Sequence, residues 1–335
     1  MSKILFSLKS INKILKQNEP SKICIVTSKN LAKKLAWAIK KIDVKKSDII
    51  FLPDGERAKD WQELEKLLKK FSGLNLDRNS VVIALGGGTI GDITGFASSI
   101  YLRGIRYIQV PTTLLAQVDS GHGGKTGINF LGYKNQVGSF YLPIATIIDT
   151  KFIASLPKAQ FINGLGEIIK AGLIKDPSIL SLLKKHHLDT LTKSPNLLKI
   201  IGKSIAVKKY FVGQDFKDTK NRQRLNFGHT FGHALELKYN VSHGQAIITG
   251  MLQELSCTEA LKLTPLGVRK SLLTLLKNLG LKIDTTMKPD WETMLHDKKI
   301  TGDKIMFPAI ESVGKARLVN LDLKVLRKLM RQNLP

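Results

Sequence analysis

From Lys22 to Asp149 short apolar runs alternate with segments of helical period, and this alternation limits the fold more than any other feature of the chain. Ile23–Val26 precedes a helical pattern from Leu31 to Ile42, Ile49–Leu52 precedes one from Trp61 to Phe71, and Val81–Leu85 precedes one from Ile90 to Tyr101. Two more apolar runs follow, at Ile105–Val110 and Ala145–Ile148. Strands that read as continuous apolar runs are buried on both faces, so the pattern predicts an α/β domain with a mostly parallel sheet covered by helices. After Phe152 the strand signals stop. Amphipathic segments near 158–174, 178–187, 196–213, 226–239, 244–262 and 266–279 predict an all-helical second domain. The expected division is 1–150 and 151–335, and the lack of a Pro/Gly/Ser linker predicts a broad interface with a cleft between the two.

A chain of 335 residues with 43% apolar content can fill two such cores. Met1 to Phe6 carry no apolar run of signal length, and no stretch approaches the roughly 20 apolar residues that span a bilayer, so the cytoplasm and no membrane partner are expected. Cys24 and Cys257 lie far apart without metal-ligand spacing and read as reduced packing thiols. The net charge of +26, from 53 basic and 27 acidic residues, raises a nucleic-acid partner. Its even spread argues against one. Lysines recur on almost every expected helix instead of clustering in an arm or among aromatics, which suits a general attraction for small anions.

Three stretches carry chemistry. Gly86-Gly87-Gly88-Thr89-Ile90-Gly91-Asp92 satisfies G-x-G-x-x-G between a strand and a helix, where backbone N–H groups attract a pyrophosphate. The acidic residue expected about 20 positions later is missing from Ile108-Gln109-Val110-Pro111, and a tight packing turn would look similar. Gly121 to Asn129 is a glycine-rich loop with Lys125 inside it, an anion cradle in composition. It is not a P-loop, because the first glycine of that motif would fall where Asp119 and Ser120 stand. Leu225 to Glu236 holds His229 and His233 one helical turn apart, with His243 just beyond. Taken alone, that pair is either part of a metal site or two histidines packed by Phe227 and Phe231.

Together these stretches resemble the 3-dehydroquinate synthase family of sugar-phosphate cyclases. The likeness runs from about Pro53 to Met251, through Pro53-Asp54-Gly55-Glu56-Arg57-Ala58-Lys59, the glycine turn, Tyr101 to Ser120, Gly123 to Asn129, Gly164 to Lys170, and Leu225 to Glu236 with His243-Gly244. The resemblance implies a Rossmann-like NAD-binding domain and a helical metal- and substrate-binding domain. It implies a divalent metal, zinc before cobalt, on Glu167, His229 and His243, a chemically sensible Lewis-acid donor set. NAD contacts are implied for Glu56, Lys59, Gly87, Gly88, Asp92, Thr112, Thr113 and Phe152, with Asp119, Lys125, Lys134 and Asn135 between cofactor and substrate. Substrate groups are implied for Lys170, Lys208, Arg222, Asn226 and His233.

The implied reaction converts 3-deoxy-D-arabino-heptulosonate 7-phosphate to 3-dehydroquinate with loss of phosphate, a step of the shikimate pathway. Metal and NAD oxidise a hydroxyl, phosphate is eliminated, the hydride returns, and an intramolecular aldol step closes the ring. His233 is assigned to proton shuttling, the substrate's own phosphate being an alternative base, and the cationic residues clamp substrate anions. A homodimer is also implied. Three departures from the family pattern stand out. Ser28 replaces an aspartate, which puts an adenosine-ribose contact in doubt; Gly121-His122 replaces Ser-Val; and Gln245 replaces the glutamate after His-Gly, near a metal ligand. Near the C-terminus, Asp297-Lys298-Lys299 matches the family, and one of the two lysines is expected at the active site.

Overall fold

The computed structural model describes residues 2–42, 47–295 and 300–333, and the elements and contacts below are of these residues. The chain divides into two compact units, 1–156 and 157–335. The strands of the first are β1 (Lys3–Leu5), β2 (Ile23–Ser28), β3 (Ser47–Leu52), β4 (Val81–Gly86), β5 (Arg106–Pro111), β6 (Lys125–Phe130), β7 (Tyr133–Phe140) and β8 (Ala145–Ile147). Six of them form one sheet in the order β1-β8-β5-β4-β2-β3, parallel at every pairing.

The apolar runs have the cause inferred from them. Alternate residues of β4 enter two different cores: Val82 and Ala84 join Leu64, Leu67, Phe71, Ile93 and Phe96 on one face, while Val81, Ile83 and Leu85 join Ile11, Leu35, Ala38 and Phe152 on the other. A strand covered twice has no solvent face on which to place polar residues. The helix Trp61–Gly73 shows how the covering layer is started and aimed. Asp60 accepts from the Glu63 N–H at 2.8 Å as its N-cap, and Leu64, Leu67 and Phe71 fall on the buried stripe.

Two local features differ from expectation. The N-terminal segment adds β1 at the sheet edge, a three-residue strand too short to announce itself. The glycine-rich stretch is a loop only as far as Gly124, after which Lys125 opens the antiparallel hairpin β6–β7. Gly127 opposite Gly138 removes the alternation that would have marked it.

The second unit is built mainly from helices, among them Lys158–Ile174, Asn196–Gln214, His229–Tyr239, His243–Ala260 and Val268–Asn278. It is not all-helical. β9 (Ile300–Thr301), β10 (Lys304–Ser312) and β11 (Lys315–Asp322) form an antiparallel sheet in the order β11-β10-β9. Ile305, Phe307 and Leu321 pack from this sheet onto Phe231, Ala234 and Cys257, so it supports the helix that begins at His229. Its signal is two runs without clean alternation about Gly314, whose φ of +94° suits glycine, and after five long helices that pattern is easily missed. Among the described residues no helix is long and apolar enough to cross a membrane.

Candidate active site

The second unit brings Glu167, His229 and His243 together, with one donor atom from each inside a mutual distance of 4.8 Å. Glu167 Oε1 lies 3.5 Å from His229 Nε2 and 3.4 Å from His243 Nε2. Donor atoms on a tetrahedral zinc at about 2.0–2.1 Å stand roughly 3.4 Å apart, so the separations and the carboxylate–imidazole donor set both fit a divalent metal. The ring of His233 meets that of His229 edge-on at 5.2 Å, but it is exposed and lies outside the three-donor cluster.

The segments that carry the two histidines are each held through neighbouring backbone N–H groups by a polar side chain. Glu254, fully buried, accepts from the Gly228 N–H at 2.7 Å and the Thr230 N–H at 3.2 Å, which fixes the turn carrying His229. Gly228 makes that turn at φ +82°, where a Cβ would stand 2.5 Å from Met251 and 2.8 Å from the Ile247 carbonyl oxygen. Asn163 Oδ1 accepts from the Gly244 N–H at 2.9 Å and ties the start of His243's helix to the helix that carries Glu167. Buried Asp215 does the same for Arg222, accepting from the Thr219, Lys220 and Arg222 N–H groups at 3.0, 2.6 and 3.2 Å. Burial opposes the Asp215 charge, yet those N–H groups hold its carboxyl below the usual range.

The electrostatics separate the two histidines. Burial opposes the charge on Glu167, but the Lys170 ammonium, ion-paired to its Oε2, and His243 hold its carboxyl well below the ordinary value. Burial also opposes protonation of His243. Its hydrogen bonds to Glu167 and, at 3.1 Å through Nδ1, to Glu236 outweigh this and raise it to about 9. His229 goes the other way, pushed well below 6.5 by burial and then by the charges of Lys170, His233 and His243, while the Phe227 carbonyl at 3.1 Å from Nδ1 favours the opposite sense.

Glu236 supplies what the Gln245 departure put in doubt. A ligating imidazole commonly gives its second nitrogen to a carboxylate, and here that carboxylate comes from Glu236, while Gln245 Oε1 accepts from Ser242 Oγ at 3.2 Å. Lys170 and Arg222 are buried, Lys208 and Asn226 half-buried, and Arg222 Nη1 donates to the Phe216 carbonyl at 2.7 Å. Lys298 and Lys299 lie outside the described residues.

In the first unit the glycine turn leads from β4 into the helix Gly88–Ile100, whose N-cap, Gly87, offers no side-chain cap. A Cβ on Gly87 would come within 3.1 Å of Thr113, and one on Gly88 within 3.1 Å of Ser120 Oγ, so side chains here would press on those two residues. Ser120 Oγ is buried without a hydrogen-bond partner among the described residues. A bare helix N-terminus beside an unsatisfied hydroxyl fits a pyrophosphate. Thr112 N–H closes the turn onto the Gly86 carbonyl at 2.9 Å, and Thr113 Oγ1 caps the next helix at Ala116 N–H, 3.2 Å away.

Four expected cofactor residues form one network. Lys59 Nζ, buried, pairs with Asp92 Oδ2 at 2.8 Å and with Asn135 Oδ1; Asn129 links Glu56 at 2.9 Å to the Asn135 N–H at 2.9 Å; and Thr89 Oγ1 donates to Glu56 at 3.3 Å. Asn129 and Thr89 stood inside the motifs but were not among the expected contacts. Lys125 and Lys134 are exposed on β6 and β7, and Asp119 is half-buried at the end of a helical turn. Phe152 is 2% exposed with its ring against Trp37 at 5.3 Å, so a cofactor could meet little but its backbone. His122 is buried, its Nε2 2.6 Å from the Gln117 carbonyl oxygen, a packing role.

Comparison with known proteins covers both units. The family model for the 3-dehydroquinate synthase N-terminal region matches residues 49–163, and that for the C-terminal region matches 164–300. The 3-dehydroquinate synthase of Dictyoglomus thermophilum is 39% identical over 297 residues, covering 87% of this chain and 84% of its own. That of Clostridium kluyveri is 38% identical over 334 residues, covering 95% and 91%. Among solved structures, a 2-deoxy-scyllo-inosose synthase complexed with carbaglucose-6-phosphate, NAD+ and Co2+ superposes with a TM-score of 0.86 at 25% identity, covering 99% of this chain and 96% of that one. The 2-epi-5-epi-valiolone synthase of Streptomyces hygroscopicus, with NAD+ and Zn2+ bound, gives 0.85 at 22% over the same shares and supports the fold.

Two outcomes follow from this geometry. Glu254→Gln leaves one acceptor for two buried N–H groups and should cost about 1–3 kcal/mol in denaturant unfolding, with weaker zinc binding at temperatures where the variant is folded. Unchanged stability and unchanged zinc affinity would remove Glu254 from the design. Metal takes a neutral imidazole, and in the metal-free chain His243 is protonated below about 9 while His229 is already neutral. Zinc uptake at neutral pH should therefore release about one proton, falling to none well above that value, as calorimetry in buffers of different ionisation enthalpy would read. Absence of proton release at neutral pH would contradict the assignment.

Proposed function

The chain belongs to the 3-dehydroquinate synthase family, and on that premise we propose that Glu167, His229 and His243 hold its metal, the turn after β4 cradles the pyrophosphate of NAD, and Lys170, Lys208, Arg222, Asn226 and His233 act on the substrate. The reaction is the NAD- and metal-dependent conversion of 3-deoxy-D-arabino-heptulosonate 7-phosphate to 3-dehydroquinate and phosphate. The observation that carries the site reading is the meeting of three donor atoms within 4.8 Å. Once bound, a divalent metal and NAD supply Lewis-acid polarisation and a reversible hydride acceptor.

The chain's own residues bind, orient and move protons. Lys170 brings a buried ammonium whose desolvation is offset by Glu167 and which suits a second, substrate-borne oxygen anion. Arg222, anchored by Asp215 and the Phe216 carbonyl, presents its guanidinium in a fixed orientation suited to a carboxylate or phosphate. Lys208 and Asn226 add a cation and an amide to the same unit's binding set, and Lys125, Lys134 and Asp119 join the cofactor-binding set of the first unit. His233, one turn beyond His229, takes and returns protons at its exposed ring. The sugar phosphate bound by the inosose synthase supports a substrate of that class. Homodimer assembly rests on the family likeness alone, and a cytoplasmic location agrees with a demand for NAD and with two buried free thiols, Cys24 and Cys257.

His229→Ala should abolish both zinc retention and phosphate release. His233→Ala should keep stoichiometric zinc while kcat falls about 10²–10⁴-fold, the usual contribution of a general acid–base group. Metal content and phosphate release measured on the same preparations decide it; zinc lost from His233→Ala, or kept by His229→Ala, would reverse the roles. A chelator should stop phosphate release and zinc should restore it. Glu236→Gln should weaken zinc about 10–100-fold with the fold intact, and affinity equal to wild type would show that Glu236 does not tune His243.

A further inference from the structure

Two strand exits beside the glycine turn are joined by one side chain. β5 and β8 pair at Ile108–Ala145 and Gln109–Thr146; beyond that register the chain leaves β5 at Pro111, level with Gly86, and leaves β8 for Asp149. Thr112 and Thr113 follow the first exit and Phe152 the second, so residues expected to meet one cofactor stand on two segments with no further strand pairing between them among the described residues. Gln117, fully buried, spans the gap: its Nε2 donates to the Pro111 carbonyl at 3.1 Å and to the Asp149 carbonyl at 2.9 Å. The Asp149 carbonyl also accepts from the Phe152 N–H at 3.3 Å, and its carboxylate accepts from the Leu8 and Lys151 N–H groups at 3.1 and 3.0 Å. Gln117 Oε1 is buried without a hydrogen-bond partner among the described residues. A methionine would fill the same space without that cost, so the amide is accounted for by the two bonds it donates.

A third segment is tied to the same residue. The Gln117 main-chain carbonyl accepts from His122 Nε2 at 2.6 Å, and because a carbonyl oxygen can only accept, Nε2 carries a hydrogen whether the ring is neutral or charged. Gly121 allows the approach. A Cβ there would stand 2.7 Å from the Ala116 carbonyl oxygen, and the Gly121 carbonyl itself accepts from buried Thr146 Oγ1 of β8 at 3.1 Å. Gly121-His122, the pair that stands where Ser-Val is usual, leads directly into Gly123-Gly124-Lys125. Both side chains are buried, so they act through the backbone they hold. We propose that Gln117 and His122 are positioning residues that lock the exits of β5 and β8 and the glycine-rich loop into one cradle before NAD binds, leaving little ordering for the cofactor to impose. Position 122 thereby gains in this chain a link that a valine could not make.

This inference rests on the NAD reading of the glycine turn, and the experiment keeps the two apart. For the full-length, zinc-loaded wild type and its Gln117→Met, His122→Val and His122→Gln variants, amide hydrogen exchange is followed with and without NAD, NAD affinity is measured by calorimetry, and thermal unfolding is recorded. In the wild type the amides of 112–113, 120–125 and 150–153 should be protected before NAD is added. Gln117→Met should bind NAD about 10–100-fold more weakly and His122→Val about 3–10-fold, the range of two lost hydrogen bonds and of one. Faster exchange should be confined to those segments and reversed at saturating NAD. His122→Gln keeps a donor and should restore most of the affinity. A role in stability alone would lower the unfolding temperature and leave the affinity of the folded protein unchanged, which would overturn the proposal. Free exchange of the three segments in the wild type without NAD would also overturn it, and that comparison needs no variant. A wild type that binds no NAD would remove the cofactor reading itself, and the proposal with it.

Discussion

A carboxylate that is 4% exposed, as Glu167 is, has to be met by positive charge where it lies, because its desolvation is otherwise prohibitive. In the metal-free chain that charge comes from Lys170, three residues along the same helix, and from His243 on another. The rest of the second unit's site is arranged around this requirement. His243 is drawn to the protonated state by Glu167 and Glu236 together, and its charge in turn helps to keep His229 neutral. A divalent cation among the three donors would meet the same need more completely.

Holding three donors from three helices at those separations requires close backbone approach. Gly228, with φ +82°, lets the chain enter His229's helix against the Met251 side chain and the Ile247 carbonyl. Glu254 then clamps the same turn from the neighbouring helix through the N–H groups of Gly228 and Thr230. Asn163 plays the corresponding part for His243's helix, and Asp215 for the segment bearing Arg222. In a chain where acidic residues are outnumbered 27 to 53, two buried carboxylates thus hold backbone N–H groups beside the site.

Much of this was legible in the residues. The parallel sheet was written in Val81–Leu85 and its sister runs, since double burial leaves no other composition, and the resemblance named Glu167, His229 and His243 from motifs alone. The small sheet of β9–β11 escaped because its two longer strands do not alternate cleanly, and β6–β7 escaped because two facing glycines erase the alternation. The supporting residues are illegible for a different reason. Glu254 and Asn163 are ordinary polar residues on helices, and nothing local distinguishes them from solvent-facing neighbours until the fold places a backbone N–H against each. Glu236 lay inside a motif that marked its histidines, but its pairing with His243 depends on how two helices meet.

The acid missing downstream of the glycine turn separates sequence distance from spatial adjacency most clearly. Spacing of about 20 residues from turn to acid puts the acid at the end of the next strand in the chain, which pairs beside the turn. In this sheet the strand after β4 is β5, whose end reads Val110-Pro111 and carries no carboxylate, while the other neighbour, β2, was laid down earlier. Crossing the sheet through the pairings Val26–Ala84 and Ser28–Leu52 reaches Asp54 in two steps, across some thirty residues in the opposite direction.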